Sequence, residues 1–247
     1  MSDSALAGLG EPPPLQLAAE QPVERDRLTA ALRIIWVIPQ FVVLFFVGIA
    51  AFVVAFIGWF AALFTGQLPD FAEQFLTGWI RWATRVSAYF YFLTDEYPPF
   101  SLEEDLSYPV KIRIPSRSRL NPLAVLFRII LVLPAAIVSS VVGSGAFLIA
   151  VASWFMITFT GREPAPLYEV LRVFVRYQTR VGGYFFMLTP EYPWGIMGDP
   201  AVMGVSEAGD EAWTIQLSPS GRTAMIVTII LGIITEVLNR STYWRHY

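Results

Sequence analysis

RIIWVIPQFVVLFFVGIAAFVVAFIGWFAALFTG, Arg33 to Gly66, returns as RIILVLPAAIVSSVVGSGAFLIAVASWFMITFTG, Arg128 to Gly161. The match continues without a gap to Pro98 and Pro193, ending in R--TRV--YF--LT-EYP (Arg81 to Pro98 and Arg176 to Pro193). Roughly two positions in five are identical, far above chance for apolar sequence, so the chain is a tandem duplication. Within each copy the quoted stretch is about 30 residues of apolar sequence with one arginine at its start, longer than the roughly 20 that span a hydrocarbon core. A buried helix of a soluble protein does not need that length.

Composition agrees: of 247 residues, 55% are hydrophobic and only 15% charged, which is not the balance of a soluble domain. The absence of cysteine excludes disulfides, thiolate nucleophiles and iron-sulfur ligation. The single histidine, His246, stands next to the end of the chain, so no imidazole is available as a ligand within the membrane runs. No cofactor and no metal are therefore expected. A net charge of -3 argues neither for nucleic acid nor for bulk attraction to anionic lipid. The polar, Pro- and Ala-rich stretch 1–24 lacks a basic flank and a short apolar core, and reads as a disordered tail rather than a signal peptide.

Each unit divides into a long run A, a mixed run B and a polar linker. Run A contains Pro39 or Pro134 and ends at Gly66 or Gly161, suited to a left-handed cap, with Pro69 or Pro164 beyond. One kinked helix or a hairpin turning near Gly48 or Gly143 would fit; the lack of a polar turn signal favours the single helix. Small residues at Gly48, Gly143 and Gly145 would let helices approach closely. Run B, from about Phe71 to Leu93 and Leu167 to Leu188, sets Arg81 with Arg85, and Arg176 with Arg180, on one helical face. It either lies along the interface with its arginines toward phosphates, or crosses with them facing inward, where partners would be obligatory.

Trp59, Trp154, Trp79 and Trp82 are candidate interface anchors. Glu96-Tyr97-Pro98 and Glu191-Tyr192-Pro193 read as helix ends with an anchoring tyrosine, or as carboxylates orienting an anionic head group held by the arginines. Val110, Ile112 and Ile114 alternate with Lys111 and Arg113 as in a half-buried strand, and 212–217 alternates similarly and could pair with it. Basic residues before both units place both starts in the cytoplasm, a direct repeat with an even number of crossings per unit. A final crossing would leave Arg240 and Arg245 outside, a conflict left open.

The strings quoted above, together with DEYPPFSL and YPVKIRIP, resemble a bacterial membrane family known only as a domain of unknown function, number 4389, in two tandem copies. The second copy departs from it where PEYPWGIM replaces DEYPPFSL, with Pro190 in place of Asp95. The resemblance implies a cell-envelope membrane protein and points weakly to accessory roles in envelope lipid processes.

The expected fold is all-α integral membrane: a tandem repeat of a long transmembrane helix plus an amphipathic aromatic and arginine-bearing helix, with a small extramembrane β element and a C-terminal hydrophobic helix. The divisions are tail 1–24, repeat 25–107, linker with short strand 108–122, repeat 123–200, polar linker with short strand 201–222, and hydrophobic helix and tail 223–247. The expected location is the bacterial inner membrane, multi-pass. Three functions fit: a non-catalytic accessory subunit associating with membrane lipids and with other membrane proteins or itself; a lipid- or lipophile-binding protein using Arg81, Arg85, Arg176, Arg180, Glu96, Glu191, Tyr97 and Tyr192; and an enzyme or transporter component. Nothing brings a nucleophile, a base and an orienting group together, so no catalytic residue is proposed.

Overall fold

The computed structural model describes residues 15–22, 24–115, 119–199 and 213–243. Run A is a single helix in both copies, α1 (Arg27–Thr65) and α4 (Arg128–Thr160), with Pro39 and Pro134 accommodated inside. Helix α1 starts where the Asp26 carboxylate accepts the Leu28 N–H. It ends where Gly66, at φ 69°, returns its N–H to the Ala62 carbonyl. Gly161, at φ 73°, ends α4 in the same way on Ile157. A short helix α3 (Pro122–Leu126), capped by Asn121 on the Leu123 N–H, precedes α4.

Run B forms α2 (Asp70–Phe90) and α5 (Ala165–Phe185), and the chain closes with α6 (Pro219–Tyr243). Helices α1 and α4, together with Pro219–Ser241 of α6, are long and apolar enough to cross a membrane.

Strands β1 (Gln16–Ala18) and β2 (Lys111–Arg113) pair antiparallel, with Leu17 opposite Ile112. These are corresponding positions of the two copies, since the offset that carries Arg33 onto Arg128 also carries Leu17 onto Ile112. The same holds at the helix crossing, where Thr84 and Thr179 hydrogen-bond through their hydroxyls at 3.0 Å. Around that contact Trp79 meets Phe186 at 5.0 Å, and their counterparts Phe174 and Tyr91 meet at 5.1 Å. The Leu120 N–H donates to Gly66 while the Arg25 N–H donates to Gly161, so each unit's entry docks on the other's Thr-Gly turn. The two units are therefore related by a pseudo-twofold axis through the Leu17–Ile112 and Thr84–Thr179 pairs.

Two sequence expectations are corrected by this symmetry. The tail contains ordered structure: Leu15 and Leu17 are fully buried and β1 lies within it, because the repeat begins well before Arg33, where sequence identity starts. β2 pairs with β1 and not with 212–217; of that segment 213–217 carry no strand, and residue 212 lies outside the described residues. A twofold axis crossing the long helices makes α1 and α4 antiparallel, with Phe52 to Trp59 of α1 beside Arg128 and Ile129 at the start of α4, so the two unit starts lie at opposite ends of the pair.

The sheet covers one side of the α2–α5 crossing. Arg176, Arg180 and Gly183 of α5 turn toward 15–19 and the 194–199 segment. Gly182 and Phe185, on the far side of the same helix, line a cleft with Val132 and Ala136 of α4. Helix α6 runs antiparallel to α4 at backbone contact distance. A Cβ on Gly145 would fall 1.9 Å from the Thr228 carbonyl, and one on Gly232 would fall 1.9 Å from that of Val141. The close approach expected of small residues is met at Gly145.

Candidate functional site

The repeated Arg-x-x-Thr-Arg motif sits at the symmetry axis, and its arginines are held by the linker that follows their own unit. Arg81 pairs with Glu104 at 3.0 Å, and Arg85 donates to the carbonyls of Ser101 and Glu103. In the second unit Arg176 pairs with Asp199 and donates to the Gly195 carbonyl. Arg180 pairs with Asp199 at 3.0 Å and donates to the carbonyls of Leu15 and Trp194. The constant offset carries Glu104 onto Asp199, so the same ion pair is built twice.

Burial differs between the copies. Glu104 is half exposed, whereas the Arg176 side chain is fully buried and Asp199 nearly so. Burial, aided by the neighbouring Arg180 charge, pulls Arg176 down to about 10 against the opposing pull of Asp199, so it stays charged at neutral pH. Burial lowers Arg85 likewise, opposed by Asp105.

A second ionic cluster joins the entry of the first unit to the turn of the second. The buried Arg25 bridges Glu163 and Asp95, donates to the Phe92 carbonyl, and shares Asp95 with Arg33. Burial pushes the Glu163 carboxyl up, and the Arg25 guanidinium opposes that shift. Arg33 and its counterpart Arg128 are held alike. Each donates to a carbonyl at the end of its own unit's second helix, Tyr89 or Tyr184, where the helix dipole favours a cation. Each guanidinium also lies over the ring of that tyrosine, at 4.4 and 4.1 Å.

Those helix ends are conformationally demanding. Phe92 and Met187 both sit at φ 62° without being glycine, and the following amides, Leu93 and Leu188, return to Ala88 and Gly183. The turn lets the next segment fold back, and the tyrosines of the Glu-Tyr-Pro motif complete the stack. Tyr97 packs edge-on against Tyr89 and Tyr192 against Tyr184, each at 5.6 Å. Glu96 is exposed and Glu191 half-buried, and the backbone N–H of each donates to the hydroxyl of the threonine two residues earlier, Thr94 or Thr189. The structure thus gathers Tyr97 and Tyr192 around Arg33 and Arg128, while Glu96 stands exposed.

Of the tryptophans expected as interface anchors, Trp82 is corrected: it is buried, with its indole N–H on the Gln40 side chain at 2.9 Å. Gln40 is polar and buried in a lipid-type helix, so an internal partner is the only way to satisfy both groups. Trp59 also turns its N–H inward, to the Val125 carbonyl at 2.9 Å. Trp79 and Trp154 are half-buried, and neither indole N–H has a partner among the described residues. Trp79 lines the axial cleft of about 460 Å³ with Ile80, Thr84, Thr179, Phe185 and Phe186.

Sequence reasoning missed Glu104, Asp199, Asp95, Glu163, Arg25, Arg33 and Arg128 as the groups that organise these clusters. One signal was available: an acid at the same offset position in both linkers, six residues past the last identity. No cluster of metal-ligating side chains occurs among the described residues.

No curated protein and no solved structure matches the chain. One family model does, the Domain of unknown function (DUF4389), over residues 27–101 and again over 122–197. Its two copies coincide with the two symmetric units and together span more than half the sequence, and the chain belongs to this family as a tandem pair.

Proposed function

We propose that this protein is a non-catalytic, membrane-embedded accessory or structural component of the bacterial cell envelope, located at the inner membrane, that associates with lipids and with partner membrane proteins. The observation that carries this reading is where its charges go. Arg81, Arg85, Arg176 and Arg180 are all engaged by carboxylates or carbonyls of the same chain. Meanwhile apolar side chains along α1 and α4, from Ile34 to Phe64 and from Ile129 to Phe159, stand exposed. Charge is spent on holding two repeats together, and contact surface is left for lipid and protein. Native mass spectrometry of gently solubilised protein tests this. Bound partner or lipid that survives Arg85→Gln or Arg180→Gln in a folded protein supports it; a stoichiometric anionic lipid lost with these arginines, while the fold persists, refutes it.

A second reading keeps lipid binding and moves it from the arginines to the axial cleft. Its walls are mainly apolar and aromatic, and the Trp79 N–H is unpartnered among the described residues. That lining suits an acyl chain with one polar contact rather than a charged head group. Retention of lipid that is abolished by filling the cleft with Gly182→Leu would favour it.

A further inference from the structure

We propose that α1 and α4 lie flat within one leaflet, with the pseudo-twofold axis along the membrane normal, so that the protein's principal partner is the acyl region of a single monolayer. This rests on the membrane reading above and replaces the multi-pass expectation. The argument starts from symmetry. An axis relating two antiparallel helices is perpendicular to them and meets them at their middles. If α1 and α4 stood along the normal, that axis would lie in the bilayer midplane, and everything on it would share that depth.

The two-stranded sheet lies on the axis. Its pairing centre is Leu17–Ile112, and Lys111 and Arg113 on β2 are exposed. Glu20, Glu103 and Glu104 of the same layer are exposed as well. Upright helices would place a sheet with two outer edges and five exposed charges at the centre of the hydrocarbon. Open sheet edges are not tolerated there, and exposed charge is costly there.

Length points the same way. The apolar part of α1, Ile34 to Phe64, extends about 46 Å at 1.5 Å per residue, against a hydrocarbon core of about 30 Å. Fitting it across the core would need a tilt of about 50°, beyond the usual range of up to about 40°. Laid flat, the same helix has no mismatch.

The flat orientation also sorts the polar groups. The sheet, the acidic linker and the Arg81–Glu104 pair face water. Helices α2 and α5 occupy the middle with their ionic partners on the water side. Below them Phe52, Phe56, Ile129 and Phe185 share one mainly apolar hollow between the long helices, and the one charged side chain lining it, Arg128, is held by the carbonyls of Tyr184 and Thr189. No ionisable residue occurs in the sequence between Ile34 and Phe64 or between Ile129 and Phe159, so both long helices can be submerged over their whole apolar length. Both ends of α1 then emerge on the same side as the sheet.

The natural absence of cysteine makes the test direct. Glu24, at the entry to α1, and Gln74, one turn into α2, are both exposed. The full chain carrying Glu24→Cys and Gln74→Cys is reconstituted in sealed phospholipid vesicles, treated with a membrane-impermeant maleimide, and weighed intact. A flat protein gives molecules with two labels or none, in proportions set by which way each copy was inserted. A spanning protein gives molecules with one label, and that result overturns the proposal. Full labelling of both cysteines after detergent addition confirms that both thiols are reactive, and a single symmetric peak in size-exclusion chromatography confirms that the variant is folded. Extraction of the protein from vesicles by alkaline carbonate, without detergent, would instead sink the membrane reading beneath it.

Discussion

Replacing Asp199 with Asn should harm the fold far more than replacing its symmetry mate Glu104 with Gln, although both changes remove one carboxylate charge from the same position of the repeat. Asp199 serves Arg176 and Arg180 together and also accepts the Ile215 N–H at 3.0 Å. The Arg176 side chain is 0% exposed and that of Arg180 8%. Removing the charge leaves two buried guanidinium groups without a counter-ion, and breaking such a pair costs about 3–5 kcal/mol. Asn keeps the shape and some of the hydrogen bonds, so the lower end, about 3 kcal/mol, is the working value.

Glu104 is 50% exposed and Arg81 25%, so water screens that pair and its loss costs at most about 1 kcal/mol. For a chain of this size each kcal/mol moves the midpoint by about 2–4 °C, which gives a fall of about 6–12 °C for Asp199→Asn and under about 4 °C for Glu104→Gln. Thermal denaturation in mild detergent, followed by size-exclusion chromatography of the surviving species, reads both. Equal shifts, or a larger one for Glu104→Gln, would refute the claim that burial rather than pairing sets the value of these repeated bridges.

Other consequences follow from the same contacts. Because burial raises the Glu163 carboxyl from its ordinary 4.5, the folded state binds a proton more readily than the unfolded chain. Stability from this group is therefore fullest below 4.5 and declines as pH rises through the raised value. Glu163→Gln should flatten that decline in a series of melting temperatures between pH 4 and 7, and an unchanged slope would remove Glu163 as its source. Gly145→Ala should lever α6 away from α4, since its Cβ would fall 1.9 Å from the Thr228 carbonyl. Faster limited proteolysis between 213 and 219 is the expected sign, and unaltered cleavage would show that the helices yield without separating. Joint Arg85→Gln and Arg180→Gln substitution should lower detergent-solubilised monodispersity before it changes lipid content, because both groups hold backbone carbonyls of the linkers.

Read alone, the chain carries the duplication, the two-helix unit, the caps at Gly66 and Gly161 and the oily character of α1 and α4. Each of these is local: periodicity, a positive-φ glycine and an uninterrupted apolar run are written within a few turns of chain. It also showed that the paired arginines demand partners, since a charge on an aromatic helix has few ways to be satisfied. What it did not show was which partners. Glu104 and Asp199 lie beyond the last identical residue, and Leu15 and Leu17 lie in a stretch with almost no resemblance to Val110 and Ile112. There the chain needs only an apolar side chain at alternate positions.

Direction was hidden more deeply. A tandem repeat in sequence is compatible with units side by side or units inverted. The choice is made by contacts between residues far apart in the chain, Thr84 with Thr179, Arg25 with Gly161 and Leu17 with Ile112. Basic residues before each unit argue for a common side of a membrane, which leaves open whether the unit starts lie at the same end or at opposite ends of the helix pair. Only the tertiary structure could decide this, because a symmetry axis is a property of two units packed together and leaves no mark on either one alone.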